Sequence, residues 1–138
     1  MPKANFYLLK DSDEAARRRF ACRLAEQQTR QGQRVFLLTS SAEAAHELDQ
    51  LLWSYTPESF LPHALSGDDH TQVAVVVGHE NQRDFGCVLN LGDTIVSDYP
   101  GLTAVAEFIL NDETAKAASR SRWNSYKQLG YELQLHQL

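Results

Sequence analysis

Residues 32–52, GQRVFLLTSSAEAAHELDQLL, carry the turn–strand–helix unit on which the fold reading turns. VFLL at 35–38 is a short apolar run and reads as the second strand. Gly32 just before it can adopt the left-handed turn that ends a helix. Ser40 with Glu43 three positions on reads as a capping box opening the next helix. That helix turns Leu48, Leu51, Leu52 and Tyr55 to the core, and Pro57 bars its continuation. Towards the N-terminus, ANFYLL at 4–9 reads as a first strand. Ser12 is the expected N-cap of the following helix, with Asp13 and Glu14 at its positive end and Ala16, Phe20 and Leu24 on one face.

Towards the C-terminus, residues 56–72 read as a long connection, and 73–77 (VAVVV) and 87–91 (CVLNL) as strands. After Pro100 and Gly101 a short apolar helix is expected over 102–110. Thr114 opens the last helix, which stops at Gly130, and 131–136 (YELQLH) alternates like a strand with one wet face. Strands alternating with helices imply an α/β architecture: a three-layer, Rossmann-like fold, a mostly parallel sheet with helices on both faces. No repeat or linker interrupts it, so residues 1–138 read as one domain.

The net charge is −5, from 13 basic and 18 acidic residues, which argues against general binding to a nucleic acid backbone. The distribution is uneven. Residues 40–114 carry thirteen acids and one base, Arg83. Residues 116–127 carry Lys116, Arg120, Arg122 and Lys127 and no acid, and Arg17, Arg18, Arg19 and Arg23 form a second basic cluster, read as a solvated helix face. No apolar run approaches the ~20 residues needed to cross a bilayer. MPKANFYLLK does not read as a signal peptide, so a cytoplasmic protein without membrane contact is expected. Cys22 and Cys87 read as buried small residues with reduced thiols.

Phosphate binding on this fold needs a glycine-rich turn before a helix. The first strand is followed by KDSDEA and the second by TSSAEA, so no nucleotide-binding glycine loop is present. Among His46, His63, His70, His79 and His136 no pair has the i, i+4 spacing of metal ligands on a helix, and His79-Glu80 and Asp68-Asp69-His70 read as solvated turns. Neither cysteine and no serine has the local setting of a nucleophile. No cofactor, metal or catalytic residue is expected. The rival readings are a nucleotide-dependent or hydrolytic enzyme, resting on fold alone, and a direct binder of single-stranded nucleic acid.

Two constellations suit binding instead. Lys116, Arg120, Trp123 and Lys127 fall at i, i+4, i+7 and i+11, along one helical face. Such a stripe fits a ligand with carboxylates and an apolar group, through Arg120 and the flat indole. Spacing alone leaves open the alternative that Trp123 packs inward and the cations merely solubilise the helix. Trp53, Tyr55, Phe60, Leu61 and Pro62 gather aromatics and proline at a helix end, either as an anchor patch for another protein or as the closure of one end of the core.

NFYLL (5–9), GQRVFLLTSS (32–41), LDQLLWSYTPESFLPHALSGD (48–68) and RSRWNSYKQLGYEL (120–133) together resemble the chi subunits of bacterial DNA polymerase III holoenzyme, in order and over nearly the whole length. The most specific portion is Trp53 followed by Phe60-x-Pro62-His63. The resemblance implies a Rossmann-like accessory subunit at the replisome, without nucleotide chemistry. It implies one-to-one pairing with the psi subunit, contact with the clamp loader through psi, and a grip on the acidic, phenylalanine-ended C-terminal tail of single-stranded-DNA-binding protein. Nucleic acid is then met only indirectly. Some members are also linked to a repair helicase. By position, Lys116, Arg120 and Trp123 match the family's tail site, and Asn124 stands where a second lysine is common, which implies either a weaker tail site or compensation by Lys127 or Arg122. Trp53, Phe60 and Pro62, with His63 adjacent, match the psi-facing patch.

Overall fold

A computed structural model describes residues 2–54, 62–68, 73–80 and 82–138. Among them lie strands β1 (Lys3–Leu8), β2 (Val35–Leu38), β3 (His63–Leu65), β4 (Val75–Gly78), β5 (Cys87–Asn90), β6 (Ala104–Ile109) and β7 (Glu132–Gln137), and helices α1 (Glu14–Arg30), α2 (Ala42–Ser54) and α3 (Glu113–Gln128). The strands form one sheet in the order β3-β4-β2-β5-β6-β1-β7, and every neighbouring pair is parallel.

Right-handed crossovers settle the layers. From β1 to β2 and from β2 to β3 the chain moves towards one edge, so α1 and α2 lie on one face; from β6 to β7 it moves the other way, and α3 lies on the opposite face. The packing follows. Ala21, Cys22 and Ala25 of α1 and Ala45, Leu48 and Leu52 of α2 bury against Val35, Leu37, Val75, Val77 and Leu89. Tyr126 of α3 buries against Ala4, Phe6, Phe36, Val76 and Val88 on the other face, with Trp123 beside it. No crossover helix separates β5 from β6; their connection covers the α3 face with Val96, Tyr99 and Leu102. The expected three-layer arrangement is present, with a sheet parallel throughout.

Residues 102–110 are not a helix. Ala104–Ile109 is strand β6, buried on both faces between β5 and β1. An apolar run of this length is equally a buried strand or a helix turn by periodicity, and pairing on both sides decides for the strand. Residues 56–72 are not wholly a connection, since His63–Leu65 pairs with β4 as an edge strand. Three residues are too few to show a period. Asp13, not Ser12, caps α1, its Oδ1 accepting from the Ala16 N–H at 2.7 Å. Ser41, not Ser40, accepts from the Ala44 N–H, so the N-cap lies one residue later than expected and, with Ala44 at the third position, the reciprocal half of the capping box is missing. The last helix starts at Glu113 behind the Asp112 cap, one residue before Thr114. Gly32 and Gly130 take φ of 86° and 87° beyond α1 and α3, the left-handed turn expected of them. Tyr55, Pro57, Phe60, Leu61, Asp69 and His70 lie outside the described residues.

Candidate functional site

Helix α3 is held to the sheet by a buried polar cluster. Glu107 of β6 accepts from Arg122 Nε at 2.8 Å, Asn90 Nδ2 at 2.7 Å and the Tyr126 hydroxyl at 2.7 Å. Burial raises the Glu107 carboxyl above its ordinary range, against the Arg122 charge and the three hydrogen bonds, which favour the ionised form. Tyr126 also accepts from the Val96 N–H at 3.0 Å, and Arg122 donates to the carbonyls of Gly92, Asp93 and Thr94. Arg122 is therefore consumed in fixing α3 and the β5–β6 connection. Its guanidinium thus faces this cluster, whereas the sequence reading offers it beside Lys127 as a cation in place of the one that Asn124 lacks.

On the outer side of that anchor, α3 and the sheet enclose a pocket of about 460 Å³ lined by Phe6, Leu8, Ile109, Lys116, Ser119, Arg120, Trp123, Asn124 and Leu135. Phe6 and Leu8 alternate along β1 and so face the same layer as α3, and Leu135 of edge strand β7 closes the wall with half its surface exposed (49 %). The two readings of Trp123 are both partly realised. Its ring packs inward on Phe6, with centroids 5.1 Å apart, while it still lines the pocket. Lys116 and Arg120 stand at the mouth, one turn apart, and neither pairs with a carboxylate among the described residues. An apolar floor under two uncompensated cations suits a chain end that carries both an apolar side chain and carboxylates. Asn124 lines the pocket, whereas Lys127 does not. Seven residues beyond Arg120, Lys127 lies ~10 Å further along the axis, so sharing a face did not bring it to the pocket.

The second constellation lies near the far edge of the sheet. Trp53, at the end of α2, is 54 % exposed and its ring sits 4.6 Å from that of His63. His63 is buried, its Nε2 3.2 Å from the Asp49 carbonyl and 3.4 Å from Asp49 Oδ1, so it supports the indole from beneath. Pro62 beside it is exposed. Phe60 lies outside the described residues, so the structure does not place it with the other three.

The switch point of this sheet is the crevice between β1 and β6, whose helices leave to opposite faces. Here it is bridged. Leu9 N–H donates to the Ile109 carbonyl, Asn111 N–H to the Asp11 carbonyl and Asn111 Nδ2 to the Lys10 carbonyl. The thiols of Cys22 and Cys87 are buried, which pushes them up to about 12 and about 11, away from nucleophilic use. No group of three His, Cys, Asp or Glu among the described residues is arranged to hold a metal ion.

The family described as "DNA polymerase III chi subunit, HolC" matches residues 1–134. The chain belongs to the chi-subunit family of DNA polymerase III. It is 36 % identical to the DNA polymerase III subunit chi of Pseudomonas aeruginosa, over all of this chain and 98 % of the relative. The chi subunit of Haemophilus influenzae is 29 % identical over 94 % of this chain and 93 % of its own length; that of Escherichia coli is 28 % identical over 96 % of each. This chi-family chain is thus an accessory subunit of the replicative polymerase, and its pocket is read in that setting. Phe6, Leu8, Ile109 and Leu135 were missed as site residues. Alternation in β1 and β7 could have placed Phe6, Leu8 and Leu135 on one face, but Ile109 was hidden by reading β6 as a helix.

Proposed function

We propose that this chi-family chain is a non-catalytic adaptor with two protein-binding ends. One end takes the acidic, phenylalanine-ended tail of single-stranded-DNA-binding protein, and the other pairs with psi and through it with the clamp loader. The observation that carries the reading is the pocket beside α3, with Lys116 and Arg120 unpaired at the mouth of an apolar floor made by Phe6, Leu8, Trp123 and Leu135. The terminal aromatic ring enters the floor, and the terminal carboxylate and nearby acids meet the two cations. Trp53 and Pro62, with His63 behind them and Phe60 in the same stretch of chain, supply the psi-facing patch.

A few desolvated charge-assisted bonds, each ~1.5–3 kcal/mol, on an open apolar floor give micromolar, salt-sensitive binding. Titration of the protein with an acidic peptide ending in phenylalanine, beside a bare single-stranded oligonucleotide at the same physiological salt, tests this. Saturable binding of the peptide alone is expected. Tight binding of the oligonucleotide with none of the peptide would establish the nucleic-acid rival instead.

A further inference from the structure

The basic cluster of α1 divides in two in the fold. Arg17 pairs with Glu14 at 2.8 Å and reaches the Leu91 carbonyl; Arg18 pairs with Glu14 and with Glu47 at 3.0 Å. Arg19 and Arg23 are different. Both are exposed, they lie one turn apart, and neither has a carboxylate partner among the described residues. They border a second cavity of about 390 Å³, floored by Leu9, Ala16 and Phe20 and flanked by Lys10 and Leu138. Among the side chains that line it, three are cationic and one, Asp11, is acidic. Of the neighbouring carboxylates, Asp13 and Asp112 cap α1 and α3 and Glu14 holds two arginines, while Glu113 at the start of α3 is exposed and pairs with no cation among the described residues.

This cavity and the pocket beside α3 lie back to back across the carboxyl ends of β1 and β7. Leu8 and Leu135 line the one, Leu9 and Leu138 the other, on opposite faces of the sheet. Lys10 lines the second cavity only, and at the rim between the two Asn111 ties the loops together. Cations without a carboxylate partner among the described residues thus flank the sheet's end on both faces, Arg120 and Lys116 on one and Lys10, Arg19 and Arg23 on the other. We propose that the acidic segment preceding the apolar end of the bound tail turns over this rim and lies against Arg19 and Arg23, so that one peptide occupies both cavities. The inference rests on the tail-binding reading above and adds a second half to that site. Complementary charge supplies the attraction, and the half-buried Phe20 ring gives the segment an apolar surface to cross.

Peptide length makes the proposal testable. At ~3.3 Å per residue an extended peptide of about twelve residues reaches ~40 Å and can round the sheet's end, whereas one of about four residues spans ~13 Å and fills the first pocket alone. Fluorescence anisotropy would compare these two peptides, both acidic and ending in phenylalanine, on the wild type, Arg19→Ala/Arg23→Ala and Asp11→Asn. The long peptide is expected to bind the wild type about three- to tenfold more tightly, the scale of two or three exposed charge pairs. The double substitution should erase that advantage and leave the short peptide unchanged, and Asp11→Asn should strengthen the long peptide only. Equal affinities of both peptides for the wild type, or an advantage that survives the double substitution, would overturn the wrapped path while leaving the first pocket intact. If neither peptide binds, the tail reading falls and takes this proposal with it. Competition for Arg19 and Arg23 by a bare oligonucleotide stronger than by the long peptide would also overturn it, in favour of nucleic acid.

Discussion

Removing a single oxygen at Tyr126 tests whether the buried polar cluster fixes α3. In Tyr126→Phe the ring stays in place, so no cavity opens, but two hydrogen bonds vanish together. Glu107 Oε2 keeps only Asn90 as partner, and the Val96 N–H is left with no acceptor in a buried site. A bond to a carboxylate contributes about 1.5–3 kcal/mol and an orphaned buried donor costs about 1–3, which together give a loss of ~3 kcal/mol at neutral pH. With a urea slope of ~1–3 kcal/mol per molar, the unfolding midpoint should fall by about 1–3 M at unchanged slope. The pH dependence carries a second signature. Because the folded-state pKa of Glu107 is raised, folding is favoured below the unfolded value and stability declines as pH rises through the folded one. Losing the tyrosine bond, which favoured the ionised form, raises the folded pKa further, so the gap between variant and wild type should widen with pH above 4.5. A loss below ~0.5 kcal/mol, or a gap that narrows as pH rises, would show that the cluster does not anchor the helix.

Other outcomes follow from the same geometry. Leu135→Asp places a carboxylate in the pocket wall on a half-exposed edge position, and should cut tail-peptide affinity more than tenfold while shifting stability by less than ~1 kcal/mol, read by calorimetry and thermal unfolding. Trp53→Ala should weaken pairing with psi by about 2 kcal/mol or more, the scale of an interface anchor, and leave tail binding unchanged in a co-purification and titration pair of assays. Phe60→Ala should do the same; loss of both activities would instead assign Phe60 a folding role. Cys22 and Cys87, buried with thiols pushed up to about 12 and about 11, should resist an alkylating reagent at pH 8 until denaturant is added.

The layer architecture was legible because parallel strands buried on both faces show as unbroken apolar runs, and VFLL, VAVVV and CVLNL are three of these. β6 escaped because AVAEFI carries a glutamate at a position that turns inward. A buried carboxylate with three partners cannot be distinguished from a solvated one by pattern alone. The same blindness covers Arg122: offered beside Lys127 as a cation to make up for Asn124, it is held by Glu107 and three carbonyls that no helical spacing reveals. Lys116, Arg120 and Trp123 were legible from the helical spacing and Asn124 only from the family resemblance, whereas the floor beneath them comes from β1, β6 and β7, more than a hundred residues apart in places. The split of the α1 arginines into paired and unpaired was likewise invisible, since Glu47, which holds Arg18, belongs to another helix.

The most direct measurement is a calorimetric titration of an acidic, phenylalanine-ended peptide into the wild type, Arg120→Ala and Lys127→Ala under one buffer. Arg120 stands at the pocket mouth and Lys127 lies outside the pocket, although both share the helical stripe. Removing Arg120 should lower affinity by at least about tenfold, equal to a ~1.4 kcal/mol charge-assisted bond, and removing Lys127 should change it by less than about twofold. Equal losses for the two variants would mean a diffuse basic stripe rather than a pocket, and an unchanged affinity for Arg120→Ala would contradict the tail site outright.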